Sequence, residues 1–427
     1  MVVSTQKNKP REKISYFQRT LRFIQRNKFN PTLLRDFNWG LFALLMAISL
    51  FGVVCIFSAT ATPVEQSELD SMTFLELLQS QPTRYAGLQL LWIAAGLVAM
   101  AFVVFLDSDL YERHANKIYW ANIALLTVVL FMEKGRGGMA GWFRWGSEQA
   151  RTIQPSEFGK LAIIISLAKL FAGRQKPIST VSELLPTLAY VGLPLALIVA
   201  QPDVGTALVY IVVYGVMLFS SGTNYKLIVG MLSLAVVMLV ALWYMLNMSY
   251  SESYRLERIL VYLDPSRDPT GAGMQTTNAR IAVGSGGLWG KGLFSAGSFA
   301  SLNYIPDDYT DFIFAIVCES FGFVGAGLLV LAFLLLIVRL IALSTQAYDA
   351  FGSYVIIGVM AMLLFHIVEN VGMVLGLMPV TGIPLPFISY GGSNLLTNYM
   401  GMGLVFGIAM RSRERRRRGR HRPAARL

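Results

Sequence analysis

Titratable side chains are scarce in this chain of 427 residues. Only 14% are Asp, Glu, Lys or Arg, too few to clothe a water-soluble domain of this size, so a soluble enzyme is excluded. Cysteine is nearly absent: Cys55 and Cys318 lie far apart inside apolar runs, which indicates neither a disulfide framework nor a thiolate metal site. His114, His366 and His421 are scattered in the same way, which argues against a histidine metal centre or a proton-relay cluster. What abounds is apolar: 55% of the residues are hydrophobic.

Runs long enough to cross about 30 Å of hydrocarbon as helices recur about ten times. They cover residues 39–59, 87–106, 116–132, 158–172, 184–200, 204–221, 225–247, 311–341, 351–377 and 391–410. The expected fold is an all-α polytopic membrane protein. Residues 1–38 carry nine Lys or Arg without the apolar core of a cleavable signal peptide, and residues 411–427 carry nine Arg. The positive-inside rule makes both segments cytoplasmic tails of a membrane domain over 39–410, in agreement with an even span count. The net charge of +11 is thereby explained by topology and anionic lipid headgroups, without nucleic acid. On this topology the loops at 60–86, 133–157, 248–310 and 378–390 face outward. The loop at 248–310, between spans 7 and 8, is long enough to form structure of its own.

Within that loop Arg255 and Arg258 share one helix face, a good geometry for phosphate and equally for a solvated pair. The stretch from Gly284 to Gly292 invites comparison with a P-loop, but Ser285 and Gly292 occupy positions where that motif needs Gly and Ser or Thr. A flexible or re-entrant turn is expected instead, with Lys291 available to an anion. Asp311 stands where the loop meets the eighth span. It reads either as a first-turn acid behind a Thr310 cap or as a carboxylate placed for chemistry at the membrane surface. Glu319 lies about 12 Å further along the same helix, at 1.5 Å per residue.

Glu157 and Lys160 are one turn apart and read as an ion pair, structural or substrate-binding. Asp203 reads as a helix cap or a substrate-binding group. His366 and Glu369 share a helix face next to Asn370 and could simply hold helices together. The segment from Met378 to Ser393 packs three prolines and three glycines between two apolar spans. It cannot be helical, so it should line an outward vestibule near Asp311.

Taken together, Gln154-Pro155-Ser156-Glu157 with Lys160, Gln201-Pro202-Asp203 with Gly205-Thr206-Ala207, Thr310 to Phe314, and Pro379 to Ser393 resemble the SEDS family (shape, elongation, division and sporulation). The likeness runs in order over about residues 40–410. It implies a ten-span SEDS-type bundle that polymerises peptidoglycan glycan strands from lipid II at the outer face of the bacterial cytoplasmic membrane. Asp264-Pro265, Asp268 to Gly273, Ile281 to Gly292 and Gly372 to Pro379 look closer to the elongation, rod-shape branch than to the septal division branch. Met274, Ser320 and Asn394 depart from the family's usual Tyr, second acidic residue and Ser.

The resemblance implies that Asp311 is the catalytic base, or else that it binds a divalent cation, magnesium or manganese; no organic cofactor is expected. Arg255, Arg258, Arg280, Lys291 and Lys160, in falling order, are the candidates for diphosphate contacts, with Glu157 and Asp203 beside them in substrate binding. The implied partners are a class B penicillin-binding protein, which is a transpeptidase, and other proteins of the elongation complex. Two competing readings remain. A lipid II flippase would depend on embedded Glu319 and Glu369 and tolerate loss of Asp311, and a scaffold for the transpeptidase would act mainly by binding.

Overall fold

A computed structural model describes residues 35–60, 83–132, 141–144, 151–234, 261–262, 264, 267–268, 271–293, 295, 298–299, 302, 304–305 and 308–420. Arg255 and Arg258 lie outside the described residues. The chain is nearly all helical: α1 (Trp39–Ala59), α2 (Arg84–Phe105), α3 (Ser108–Leu130), α4 (Pro155–Ala172), α5 (Val181–Ala200) and α6 (Val204–Ser220) precede the large loop. They are followed by α7 (Tyr225–Leu234), then α8 (Ala272–Ser285), α9 (Ile313–Thr345), α10 (Ala350–Val374) and α11 (Gly392–Arg420). A short antiparallel hairpin, β1 (Phe143–Arg144) and β2 (Arg151–Ile153), leads into α4.

Each expected span overlaps a helix, with residues 235–247 of the seventh lying outside the described residues. Five helices, α1, α2, α5, α9 and α10, are long and apolar enough to cross a membrane by length and composition, and α6 and α7 are shorter apolar helices. Local rules start several of them. Asn38 accepts from Leu41 N at the head of α1 (3.2 Å) and Asp349 from Gly352 N at the head of α10 (2.7 Å). Pro155 occupies the first turn of α4, where a missing N–H costs nothing. Large side chains such as Val98, Phe102, Leu328, Leu331 and Val338 stay exposed, as a lipid-facing rim requires.

Of the five long apolar helices α10 is the most enclosed, and it packs against α9, α4, α6 and α11. Its buried face carries His366, Glu369 and Asn370 as well as apolar residues, so the core of the bundle is polar at one level.

The eighth span is not one continuous helix. Gly322 inside α9 has φ 66° and ψ −166°, a conformation essentially confined to glycine. The loop segment from Gly287 to Gly292 fills the break. In an unbroken helix the carbonyls of Glu319 and Ser320 would accept from Phe323 N and Val324 N. Here they accept instead from Lys291 N (2.8 Å) and Gly292 N (3.1 Å), while Phe323 N and Val324 N donate to Gly287 O (2.9 Å) and Leu288 O (3.1 Å). Of the two expectations, a flexible or a re-entrant turn, the glycine-rich stretch shows a turn inserted into the break and fixed there by four backbone hydrogen bonds. Every group freed by the break has a partner, as a non-aqueous setting demands.

Candidate functional site

Asp311 lies in the turn that leads into α9, two residues ahead of the first helical residue, Ile313. Its backbone is held from α10: Asn370 Nδ2 donates to Asp311 O (2.7 Å) and to Ile383 O (2.8 Å). Gly382 has φ 75°, and a Cβ built there would lie 3.3 Å from Asp311 Oδ2. The half-buried Asp311 thus rests over the exposed Gly382, at the edge of the proline- and glycine-rich segment, near which the sequence placed it.

Two further ties close this corner. Tyr390 N donates to Tyr309 O at 2.9 Å, and Tyr85, Tyr309 and Tyr390 form an aromatic cluster with ring centroids 4.8, 5.4 and 5.8 Å apart. Gln89 Nε2 reaches Ser389 O at 3.2 Å. Glu369 is buried and its Oε1 accepts from Thr381 Oγ1, so both carboxylates, Asp311 and Glu369, touch the same bend. In the sequence Glu369 and Asn370 read as helix glue, with Glu369 otherwise a charge a flippase would need, and Thr381 does not stand out at all. Their convergence depends on a loop folding back on α10, for which periodicity holds no signal.

Lys291 is not free to meet an anion. Its ammonium pairs with Glu319 Oε1 at 2.8 Å, and Glu319 also accepts from Phe299 N (3.0 and 3.1 Å) and Ser285 Oγ (3.3 Å). Glu319 is the clasp that keeps the loop in the α9 break, which accounts for its charge without transport. Arg280 is exposed on α8, and its Cδ would meet a Cβ built on Gly376 at 2.9 Å, so its stem lies against the chain just beyond α10.

The buried pair expected in α4 is present: Lys160 Nζ lies 2.7 Å from Glu157 Oε1. It is part of a larger network. His366 Nε2 is 3.1 Å from Lys160 Nζ, Asn394 Nδ2 donates to Glu157 Oε2 (2.8 Å), and Asn398 Nδ2 donates to Asn394 Oδ1 (2.8 Å). His366 is therefore tied to this ion pair, a partner that its place in the sequence does not indicate. Lys160 is 2% exposed and engaged, so it is poorly placed to reach a diphosphate. Asp203 is a cap that also cross-links. It accepts from Thr206 N (3.0 Å) at the head of α6, and its other oxygen accepts from Gln154 Nε2 (3.1 Å) and Ser156 Oγ (3.2 Å) beside α4. Gln154 N in turn donates to Ser393 Oγ at 3.1 Å, so the starts of α4, α6 and α11 form one joint.

Among the described residues no group of three His, Cys, Asp or Glu is placed to hold a metal. Two carboxylates over one bend do not make an all-protein cage, but they are compatible with a hard cation that takes its remaining ligands from a diphosphate.

Fold and site together define a multi-pass α-helical membrane protein with a carboxylate presented beside a broken, glycine-rich surface. The chain belongs to the FtsW/RodA/SpoVE family of cell cycle proteins, whose family model matches residues 38–414. It is 36% identical over 377 residues to stage V sporulation protein E of Bacillus subtilis (strain 168), covering 87% of this chain and 97% of that protein. It is 35% identical over 316 residues to the peptidoglycan glycosyltransferase MrdB of Escherichia coli (strain K12), covering 74% and 83%. Of solved structures, one described as "Structural coordination of polymerization and crosslinking by a peptidoglycan synthase complex" superposes with a TM-score of 0.70 at 29% identity, over 91% of this chain and 99% of that one. The rod shape determining protein RodA of Thermus thermophilus superposes with a TM-score of 0.61 at 27% identity, over 87% and 96%.

Proposed function

We propose that this protein is a peptidoglycan glycosyltransferase that polymerises lipid II at the outer face of the bacterial cytoplasmic membrane, with Asp311 as its base. The observation that carries the reading is the presentation of Asp311: pinned through its backbone by Asn370 and half-buried beside the exposed Gly382. Relatives named as peptidoglycan glycosyltransferases, such as MrdB, support the reaction class.

In the reaction an acceptor sugar hydroxyl gives its proton to the Asp311 carboxylate as its oxygen bonds to the anomeric carbon of the donor. The bond from that carbon to the diphosphate breaks, and the diphosphate leaves with the electron pair. Arg280, exposed on α8 beside Gly376, is the remaining described candidate for that charge, since Lys291 and Lys160 pair with Glu319 and Glu157. A divalent cation bound by Asp311 and diphosphate oxygens would neutralise the leaving group in the same place.

The elongation role rests on the segments from Asp264 to Gly292 and from Gly372 to Pro379, and the structural likeness to RodA supports it. Relatives named for sporulation, division and glycosyl transfer match at similar identity, so branch membership is tested by complementation of strains depleted of the elongation or the division polymerase. A single-span class B penicillin-binding protein is the proposed partner, with other elongation-complex proteins around the pair.

The deciding experiment purifies the protein with that transpeptidase and compares wild type with Asp311→Asn for glycan polymer from lipid II, with and without chelator. Loss of about 10²–10⁴-fold in rate with folding and partner binding intact is expected. Undiminished polymer would remove Asp311 from the reaction, and a wild-type complex without polymer would favour the flippase reading.

A further inference from the structure

Glu369 is the buried acid that the proposed reaction leaves unused. It is 2% exposed, near the C-terminal end of α10, and only one of its oxygens has a partner: Oε1 accepts from Thr381 Oγ1, while Oε2 has none. A carboxylate buried with a single hydrogen bond is costly, and a leucine would fill the same space more cheaply. Membrane-embedded acids of this kind mark working sites more often than packing sites.

Its one partner is informative. Thr381 adjoins Gly382, over which Asp311 Oδ2 sits, and Ile383 O is held by Asn370, the next residue of α10. Neighbouring side chains of one helix turn, Glu369 and Asn370, thus hold the two ends of the tripeptide Thr381-Gly382-Ile383, and Asn370 also holds the backbone of Asp311. The Gly382 backbone, at φ 75°, cannot be kept in place by a side chain of its own. The opposite face of the bend is closed by α6, where a Cβ on Gly205 would lie 3.0 Å from Thr381 O. With α6 on that side, the Thr381 hydroxyl bond to Glu369 and the Asn370 bond to Ile383 O hold the two ends of the bend beneath Asp311.

We propose that Glu369 is a positioning residue for Asp311, acting through Thr381 to fix the Thr381–Ile383 bend beneath the Asp311 carboxylate. This rests on the reading of Asp311 as the base. A positioning role predicts loss in turnover and not in substrate binding, because the bend sets the orientation of the reacting carboxylate.

The test uses the full chain with its transpeptidase and lipid II as substrate, and compares Glu369→Leu, Glu369→Gln, Thr381→Val and the Glu369→Leu/Thr381→Val double variant. Glu369→Leu and Thr381→Val should each lower kcat by roughly 10- to 100-fold with KM within about twofold of wild type. Glu369→Gln, which keeps an acceptor for the Thr381 hydroxyl, should recover most of the rate. The double variant should be no slower than the worse single one, since both break the same link. A wild-type kcat in Glu369→Leu, a loss confined to KM, or additive losses in the double variant would each overturn the proposal. If Glu369→Leu fails to fold, Thr381→Val and Glu369→Gln carry the same decision, since the proposal requires the first to be slow and the second to be near wild type. Should Asp311→Asn polymerise normally, the underlying reading fails; should it be inactive while both of those variants keep wild-type kcat, only the positioning role fails.

Discussion

Lys160 is the side chain this bundle can least afford to leave alone. Its ammonium is deeply buried against Glu157 and His366, with Asn394 completing the shell of Glu157. Removing one member of a buried ion pair strands the other, at a cost of about 3–5 kcal/mol, whereas replacing both with apolar groups is often nearly neutral. Lys160→Met should therefore lower the thermal midpoint of the detergent-solubilised protein sharply, and Glu157→Leu/Lys160→Met should recover most of the loss. A Lys160→Met protein with a wild-type midpoint would contradict the account. The i,i+3 spacing of Glu157 and Lys160 makes half of this network legible in the sequence. His366 and Asn394 are not legible as partners, because they come from α10 and α11, more than 200 residues further along. Asn394 stands where the resembled family usually has Ser, and its amide donates the hydrogen bond to Glu157.

At the scale of the element, the break in α9 governs the loop. Hydropathy announces a span over 311–341 and is silent about Gly322, since a lone glycine is tolerated in a helical pattern and its dihedrals leave no trace in composition. For the same reason Lys291 and Glu319 read apart in the sequence, one as an anion site and the other as an embedded charge. A Cβ on Gly322 would lie 2.3 Å from Gly290 N and 2.5 Å from Leu288 O, both backbone atoms that cannot swing aside. Gly322→Ala adds that clash to a backbone conformation costing on the order of 1–3 kcal/mol for any other residue. The turn from Gly287 to Gly292 should be expelled and the Lys291–Glu319 ion pair broken, with faster proteolytic cleavage in this stretch as the measurement. Resistance equal to wild type would show that the interlocked backbone does not hold the loop. Because the loop leads through Phe299 and Asp308 to Asp311, polymer formation should fall in the same variant.

For the whole molecule the question is sidedness, where charge at one end meets chemistry at the other. The tail arginines read in the sequence as topology markers only, yet in the structure they bind the ends of other elements together. Arg411 pairs with Asp107 (3.6 Å), Arg415 with Asp109 (3.2 Å) and Asp349 (3.5 Å), and Arg417 with Asp36 (3.3 Å). One end of the bundle therefore gathers the approaches to α1, α3 and α10 around the foot of α11, and Asp311 lies at the other side of α9 and α10. If the positive-inside rule governs this chain, the gathered end is cytoplasmic and the Asp311 end faces outward. The native thiols Cys55 and Cys318 are both buried, so single cysteines can report the answer cleanly. Tyr304→Cys, at an exposed loop position, should react in intact cells with a membrane-impermeant maleimide. Arg416→Cys, exposed on α11, should react only after the membrane is opened. The reverse pattern would place Asp311 on the side away from the growing wall and remove the ground for polymerisation at the outer face. The expected pattern would put the carboxylate, the bend beneath it and the loop that frames them on the surface where a lipid-linked sugar must be joined to its strand.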